Sequence, residues 1–128
     1  MFGSQNNKIL TWYMDHDTAA DDDLYLFKAP TQMEIVSASF ATNNAVAAST
    51  ANYFDLCIYN AGTAGTATNA ISGTVGGTVG FDALTPKDFT ISNGTVTPGQ
   101  IVFLRYNEEG TGTFTAGVLQ INYREGIA

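Results

Sequence analysis

Residues 88–124 read DFTISNGTVTPGQIVFLRYNEEGTGTFTAGVLQINYR, and this stretch decides the fold class. Two alternating apolar runs, Ile101–Tyr106 and Thr113–Arg124, flank a polar segment whose two glycines can adopt the positive φ that a hairpin turn requires. The pattern predicts that the two runs pair as an antiparallel hairpin. The preceding Thr97-Pro98-Gly99-Gln100 has proline where φ is pre-set and glycine where φ must be positive, which predicts a type II turn.

Runs of β-branched and aromatic residues predict further strands in the rest of the chain. We expect Leu24–Lys28 and Met33–Thr42 to pair as a second hairpin across Ala29-Pro30-Thr31-Gln32. Asn93-Gly94 is a tight-turn dipeptide that would let Thr95–Thr97 pair back onto the strand before it. The strands predicted outside the two runs above are Lys8–Met14, Leu24–Lys28, Met33–Thr42, Asn52–Asn60 and Asp88–Ser92.

Short strands separated by Gly, Pro and Asn turns, without a long amphipathic helix, indicate an all-β domain. We predict an antiparallel β-sandwich, and we prefer the jelly-roll topology because eight short strands in two sheets fit the pattern. An immunoglobulin-like sandwich is the alternative. Residues 1–7 are polar and small, which predicts a flexible N-terminal arm or an arm that orders on a partner, and residues 8–128 form the single sandwich domain.

Residues 63–80, TAGTATNAISGTVGGTVG, contain no charged side chain and little bulk. Such a composition contributes little to a hydrophobic core. Two interpretations are open: an irregular surface excursion, or strands of small residues packed closely against another subunit. Phe81 and Leu84 follow this segment, and we expect them to anchor it back to the core.

The charge distribution excludes several classes of partner. The net charge is −7, and the cations Lys8, Lys28, Lys87, Arg105 and Arg124 occur singly, so no basic stripe is available for nucleic acid or an anionic membrane. No run reaches the roughly 20 apolar residues of a membrane span. Only 13% of the residues are charged. This low fraction predicts that copies or partners cover part of the surface.

Catalytic and metal-binding residues are scarce. Cys57 is the single cysteine and lies in an apolar run, so we expect it to be a core residue. With one histidine, a zinc site or a histidine-based catalytic centre is nearly excluded. We therefore expect no enzymatic activity and no cofactor. The N-terminal residues lack the pattern of a signal peptide, which predicts synthesis in the cytosol without export by a signal of its own.

The densest acidic segment is Asp15–Asp23, DHDTAADDD. A solvated turn between strands is the preferred interpretation. Calcium binding is the alternative, since calcium takes six to eight oxygen ligands, although the spacing does not match an EF-hand. A catalytic pair of carboxylates is disfavoured because nothing in the segment would separate their pKa values.

Three segments together carry a family resemblance: LYLFKAPTQMEIVSASFAT, YFDLCIYNAGTAGT, and the stretch from FTISNGTVTPGQ to the closing LQINYR. They resemble the capsid decoration, or cement, proteins of tailed bacteriophages, over about Leu24–Arg124. The resemblance implies a jelly-roll protein without catalytic residues. It also implies a homotrimer that binds the major capsid protein on the capsid exterior and stabilises the shell.

Four residues are candidates for such an interface. Arg105 and Arg124 offer guanidinium groups that pair with carboxylates in two hydrogen bonds, and Trp12 and Tyr13 offer aromatic contact area. For both kinds of residue an ordinary surface or core role is the alternative. A different functional class is a fibre- or tail-associated, lectin-like module that binds glycans with calcium at Asp15–Asp23.

Overall fold

A computed structural model of the protein describes residues 7–15, 22–50, 52–59, 69–72, 75–77, 80–107 and 114–125. These residues form ten strands, and no helix among them is long and apolar enough to cross a membrane. The strands are β1 (Lys8–Asp15), β2 (Asp22–Lys28), β3 (Met33–Thr42), β4 (Tyr53–Tyr59), β5 (Asn69–Ala70), β6 (Val75–Gly76), β7 (Lys87–Asp88), β8 (Thr95–Val96), β9 (Ile101–Asn107) and β10 (Ala116–Glu125).

The strands form two antiparallel sheets. The first sheet has the order β1-β10-β3, with β7 and β8 both pairing with the far edge of β3. The second sheet has the order β2-β9-β4, with β5 and β6 both pairing with β4. The chain crosses between the sheets after β1, β2, β3, β6, β8 and β9. Each sheet has three long strands and a fourth strand position that two short strands share. This is the jelly-roll arrangement, so the predicted fold class is confirmed.

Neither predicted hairpin exists. Strand β9 pairs with β2 and β4 in the second sheet, whereas β10 pairs with β1 and β3 in the first. Likewise, β2 and β3 lie in different sheets. An alternating pattern specifies which side of a strand is buried but not which sheet it joins, because two strands facing each other across the core have the same pattern.

The chain enters β9 through the predicted type II turn. Gly99 has a φ of 90°, and the Gln100 amide donates to the Thr97 carbonyl at 3.1 Å, which confirms that prediction. The turn also pairs with the chain that follows β2. The Ala29 amide donates to the Gln100 carbonyl, and the Gly99 amide donates to the Ala29 carbonyl.

The predicted tight turn at Asn93-Gly94 is wrong, and the strand predicted over Asp88–Ser92 is confirmed only at Asp88, which belongs to β7. Residues 87–96 instead follow β3, leave it at Ser92 and Asn93, and return. Both of those amides donate to the Ile71 carbonyl, at 2.9 and 3.0 Å, and so connect the two sheets. A Cβ on Gly94 would lie 2.3 Å from the Ile35 carbonyl oxygen, so the return to β3 requires glycine.

An aromatic cluster fills the centre of the sandwich. Phe54 stacks on Tyr106 at 4.4 Å between ring centroids and packs against Phe40 at 4.6 Å, while Phe81 and Phe114 meet it edge-on. All five side chains are buried. Cys57 is also buried, but with Phe103 it forms a small second cluster on the outer side of the second sheet rather than in the main core.

Several sequence-based predictions fall partly or wholly outside the described residues. The proposed arm at residues 1–7 and most of residues 63–80 are among them, and the single-domain assignment over 8–128 stays a prediction. The described part of the low-complexity segment supplies β5 and β6, which pair with β4 of the same chain.

Candidate interaction surface

The outer side of the first sheet, formed by β1, β10 and β3, is a broad surface with few charges. The strand registers place its side chains in rows such as Thr11-Gln120-Ser39 and Tyr13-Val118-Ala41. We call this surface the outer face. It consists of Ile9, Thr11, Tyr13, Asp15, Ala116, Val118, Gln120, Asn122, Ser37, Ser39 and Ala41.

One end of the outer face is apolar. Tyr13 is 84% exposed, and Leu84, from the connection between β6 and β7, is 75% exposed beside it. Together with Ala41, Ala116 and Val118 they line a groove of about 350 Å³, which we call the apolar groove; its mostly apolar lining also includes Asp15. Large apolar side chains that stay exposed contribute little to the stability of the fold. An exposed tyrosine next to aliphatic residues is typical of protein interfaces.

Two asparagines hold the strands of the apolar groove in place. The Ala116 amide donates to Asn43 Oδ1 at 2.9 Å, and Asn43 Nδ2 donates to Thr115 Oγ1 at 2.7 Å. The Thr115 amide in turn donates to Asn44 Oδ1 at 3.0 Å. Because these bonds fix the start of β10 to the end of β3, the groove is formed before any partner binds.

Leu84 occupies a backbone conformation that normally selects glycine. Its φ is 57°, and the Thr85 amide donates to the Asp82 carbonyl at 3.3 Å, so Leu84 stands at the third position of a tight turn. A left-handed conformation costs a non-glycine residue about 1–2 kcal/mol. An exposed leucine at such a position lowers stability without packing in return, which is a feature associated with functional sites.

Replacing Leu84 with glycine is therefore expected to stabilise the fold. Glycine removes the backbone strain, but it also gives the unfolded chain more entropy, which offsets part of the gain. The net prediction is a rise of roughly 0.5–1 kcal/mol in the free energy of unfolding. The matched control is Ala83→Gly in the same turn. Ala83 has no positive φ, so its replacement is expected to lower stability by a similar amount. Urea unfolding measures both changes, and a loss of stability in Leu84→Gly would contradict the assignment of strain.

The four residues proposed from the sequence do not converge on one site. Tyr13 lies on the outer face, whereas its neighbour Trp12 points inward and stacks on Phe27 at 5.7 Å between ring centroids. Arg124 forms an ion pair with Glu34 on the adjacent β3. Arg105 lies in the second sheet, so it is remote from the outer face.

The register explains the position of Arg105. In the strand register it stands directly between residue 23 of β2 and residue 55 of β4, in the middle of the second sheet. The interface roles proposed for Trp12, Arg105 and Arg124 stay predictions.

Leu84 is the surface residue that the sequence analysis missed. It was expected to anchor its segment to the core together with Phe81. Phe81 is buried as expected, but Leu84 points to solvent. No feature of the sequence marks this difference, because the position of Leu84 depends on a turn whose type is visible only in the structure.

The acidic segment Asp15–Asp23 lies mostly outside the described residues. Within the parts of the chain that the structure describes, no three potential metal ligands lie close enough together to hold an ion. The clearest electrostatic contact is at the other end of β1, where the Lys8 ammonium donates to Glu125 Oε1. This hydrogen bond raises the pKa of Lys8 and lowers the pKa of Glu125, so both groups stay charged around neutral pH.

No known protein family and no curated protein matches the sequence. Among solved structures, the chain is similar to a protein of the Bacillus endospore appendages, a family of disulfide-linked pili. The identity is 14%, the match covers 96% of this chain and 88% of that one, and the TM-score is 0.49. It is also similar to a chain of infectious bursal disease virus, Gx strain, with 16% identity, coverage of 95% and 37%, and a TM-score of 0.41. This chain thus spans well under two thirds of the viral one, and at these TM-scores neither likeness carries a functional conclusion.

Proposed function

We propose that this protein is a non-catalytic structural component of a virion. In this proposal it decorates the capsid exterior, binds the lattice of the major capsid protein through its outer face, and stabilises the shell as a homo-oligomer. Many identical weak contacts on one shell give high avidity without a single strong contact.

The observation that carries the proposal is the apolar groove at the end of the outer face. Tyr13 and Leu84 present aromatic and aliphatic area to solvent in a groove that the asparagine contacts hold open. The neighbouring rows carry Thr, Ser, Ala and Gln side chains, which can approach another protein surface without desolvating a charge. A weakly charged sheet surface with one apolar anchor suits a repeated protein lattice.

Cosedimentation with capsid shells tests the proposal. Shells of the virus that encodes the chain, assembled without this protein, are titrated with it and pelleted. We expect the bound amount to saturate at a fixed number of copies for each capsid protein, because a lattice offers a fixed number of equivalent sites. Binding that does not saturate, or no binding, would contradict the proposal. Calcium-dependent binding to a glycan array in place of shell binding would favour the lectin-like alternative.

A further inference from the structure

Strand β1 is an edge strand without the features that usually block edge-to-edge pairing. It is eight residues long, contains no proline, and pairs with β10 in one unbroken register from Lys8 to Asp15. Among the described residues β10 is its one partner strand, so the backbone groups on its other side face away from the sheet. A long, regular edge with free donors and acceptors is a template for another strand.

The other edges of the sandwich are protected. Strand β2 has a register shift between Tyr25 and Phe27, three charged residues, and Pro30 shortly after its end. The far edges of the two sheets consist of two-residue strands, β7 and β8 in the first and β5 and β6 in the second. Short strands, bulges, charges and proline all discourage pairing, so β1 is the exception within the described fold.

We propose that β1 pairs antiparallel with β1 of a second copy, in the register Ile9-Tyr13′, Thr11-Thr11′ and Tyr13-Ile9′. A two-fold axis passes between the two Thr11 residues. The contact is isologous and closes after two copies, so it produces a dimer. The two first sheets then join into one continuous sheet with a doubled outer face.

The side chains of β1 select this register. Ile9 is 61% exposed and Tyr13 is 84% exposed, and both lie on the outer face, so the register forms two aromatic-aliphatic cross-strand pairs from side chains that are otherwise in water. A shift by two residues would place Ile9 opposite the carboxylate of Asp15′. A shift by one residue would place outer-face side chains opposite inward-facing ones, which the side-chain alternation forbids.

Like charges at the strand ends disfavour parallel pairing. Lys8 begins β1 and Asp15 ends it, with no charged residue between them. In-register parallel pairing would place Lys8 beside Lys8′ and Asp15 beside Asp15′, whereas in the antiparallel register Lys8 keeps its contact with Glu125 and lies on the opposite side of the sheet from Asp15′. The dimer does not depend on the proposed virion function, because it requires only a second copy of the chain.

A disulfide at the two-fold axis tests the register. In Thr11→Cys the two introduced thiols lie opposite each other with Cβ atoms roughly 4.5–5.5 Å apart, which is close to the span of a disulfide. Mild oxidation is expected to convert most of the protein into a covalent dimer. The control is Gln120→Cys, which is on the same face one strand further in. Its thiols would be separated by three strand spacings, about 14 Å, and should not link. The native Cys57 is buried and does not compete.

Light scattering on the wild type and on a charge variant completes the test. We expect the wild type to have twice the 13.6 kDa chain mass. Thr11→Lys places like charges opposite each other and should raise the Kd of the dimer about fivefold or more. Gln120→Lys adds the same charge on the same face and should leave the Kd unchanged. A wild-type protein that is still monomeric at about 100 µM would have a dimer Kd well above that concentration and would overturn the proposal. A dimer or trimer in which Thr11→Cys fails to link would overturn it as well.

Discussion

Replacing Phe54 with alanine is expected to lower the free energy of unfolding by about 3–5 kcal/mol, the range for removing a buried aromatic ring. Phe54 is fully buried, stacks on Tyr106, and contacts Phe40, Phe81 and Phe114 within 5.4 Å between ring centroids. These rings come from both sheets and from the connections between strands, so they cannot close around the cavity without moving the sheets. A domain of this size has about 5–15 kcal/mol of stability in total.

Urea unfolding followed by tryptophan fluorescence measures the loss, since Trp12 is the single tryptophan and packs between the sheets on Phe27. Tyr13→Ala is the matched control, because it also removes an aromatic ring but from a side chain that is mostly exposed. In protein dilute enough to be monomeric, it is expected to change the free energy of unfolding by no more than about 0.5 kcal/mol. A loss below about 1 kcal/mol in Phe54→Ala would show that the ring cluster does not organise the core.

The double variant Tyr13→Ser, Leu84→Gly is expected to weaken binding to capsid shells by at least about tenfold while the fold is retained. Truncating a tyrosine at an interface hot spot costs about 2 kcal/mol or more, and a tenfold loss of affinity corresponds to about 1.4 kcal/mol. The Leu84→Gly change relieves strain, so weaker binding would accompany unchanged or higher stability. If binding were lost because the variant unfolds, urea unfolding would instead show a lower free energy of unfolding.

The control for this variant is Tyr25→Ser. Tyr25 is 61% exposed and lies on the outer side of the second sheet, where it packs against Phe103. If shells bind through the outer face of the first sheet, Tyr25→Ser should bind as the wild type does. Equal losses in the two variants would contradict the choice of face.

The sequence was sufficient to predict the fold class because its signals are local. The strand pattern located all six long strands, and Pro98-Gly99 marked a turn that the structure contains. Strand pairing is a non-local property, which is why both predicted hairpins were wrong. Strands that follow each other in the chain, such as β9 and β10, bury their apolar sides in one core from opposite sheets. The sequence of either strand does not show which sheet it joins.

The candidate surface was predictable only in part. The low charged fraction predicted an interface, and Trp12 and Tyr13 were its aromatic candidates. In the structure Tyr13 is exposed, but Trp12 points into the core because the side chains of a strand alternate. Leu84 was missed because its exposure follows from a positive φ at a turn. Arg124 forms an ion pair with Glu34 on the neighbouring strand, and Arg105 lies in the middle of the second sheet. A single sequence does not reveal which strands are neighbours.

Hydroxyl-radical footprinting of the protein, free and bound to capsid shells, tests the central claim most directly. Tyr13 and Tyr25 are both exposed and both reactive, but they lie on the outer sides of different sheets. If the outer face of the first sheet is the bound surface, Tyr13 loses most of its labelling on the shell while Tyr25 keeps its own. Protection of Tyr25 with Tyr13 still fully labelled would contradict this account.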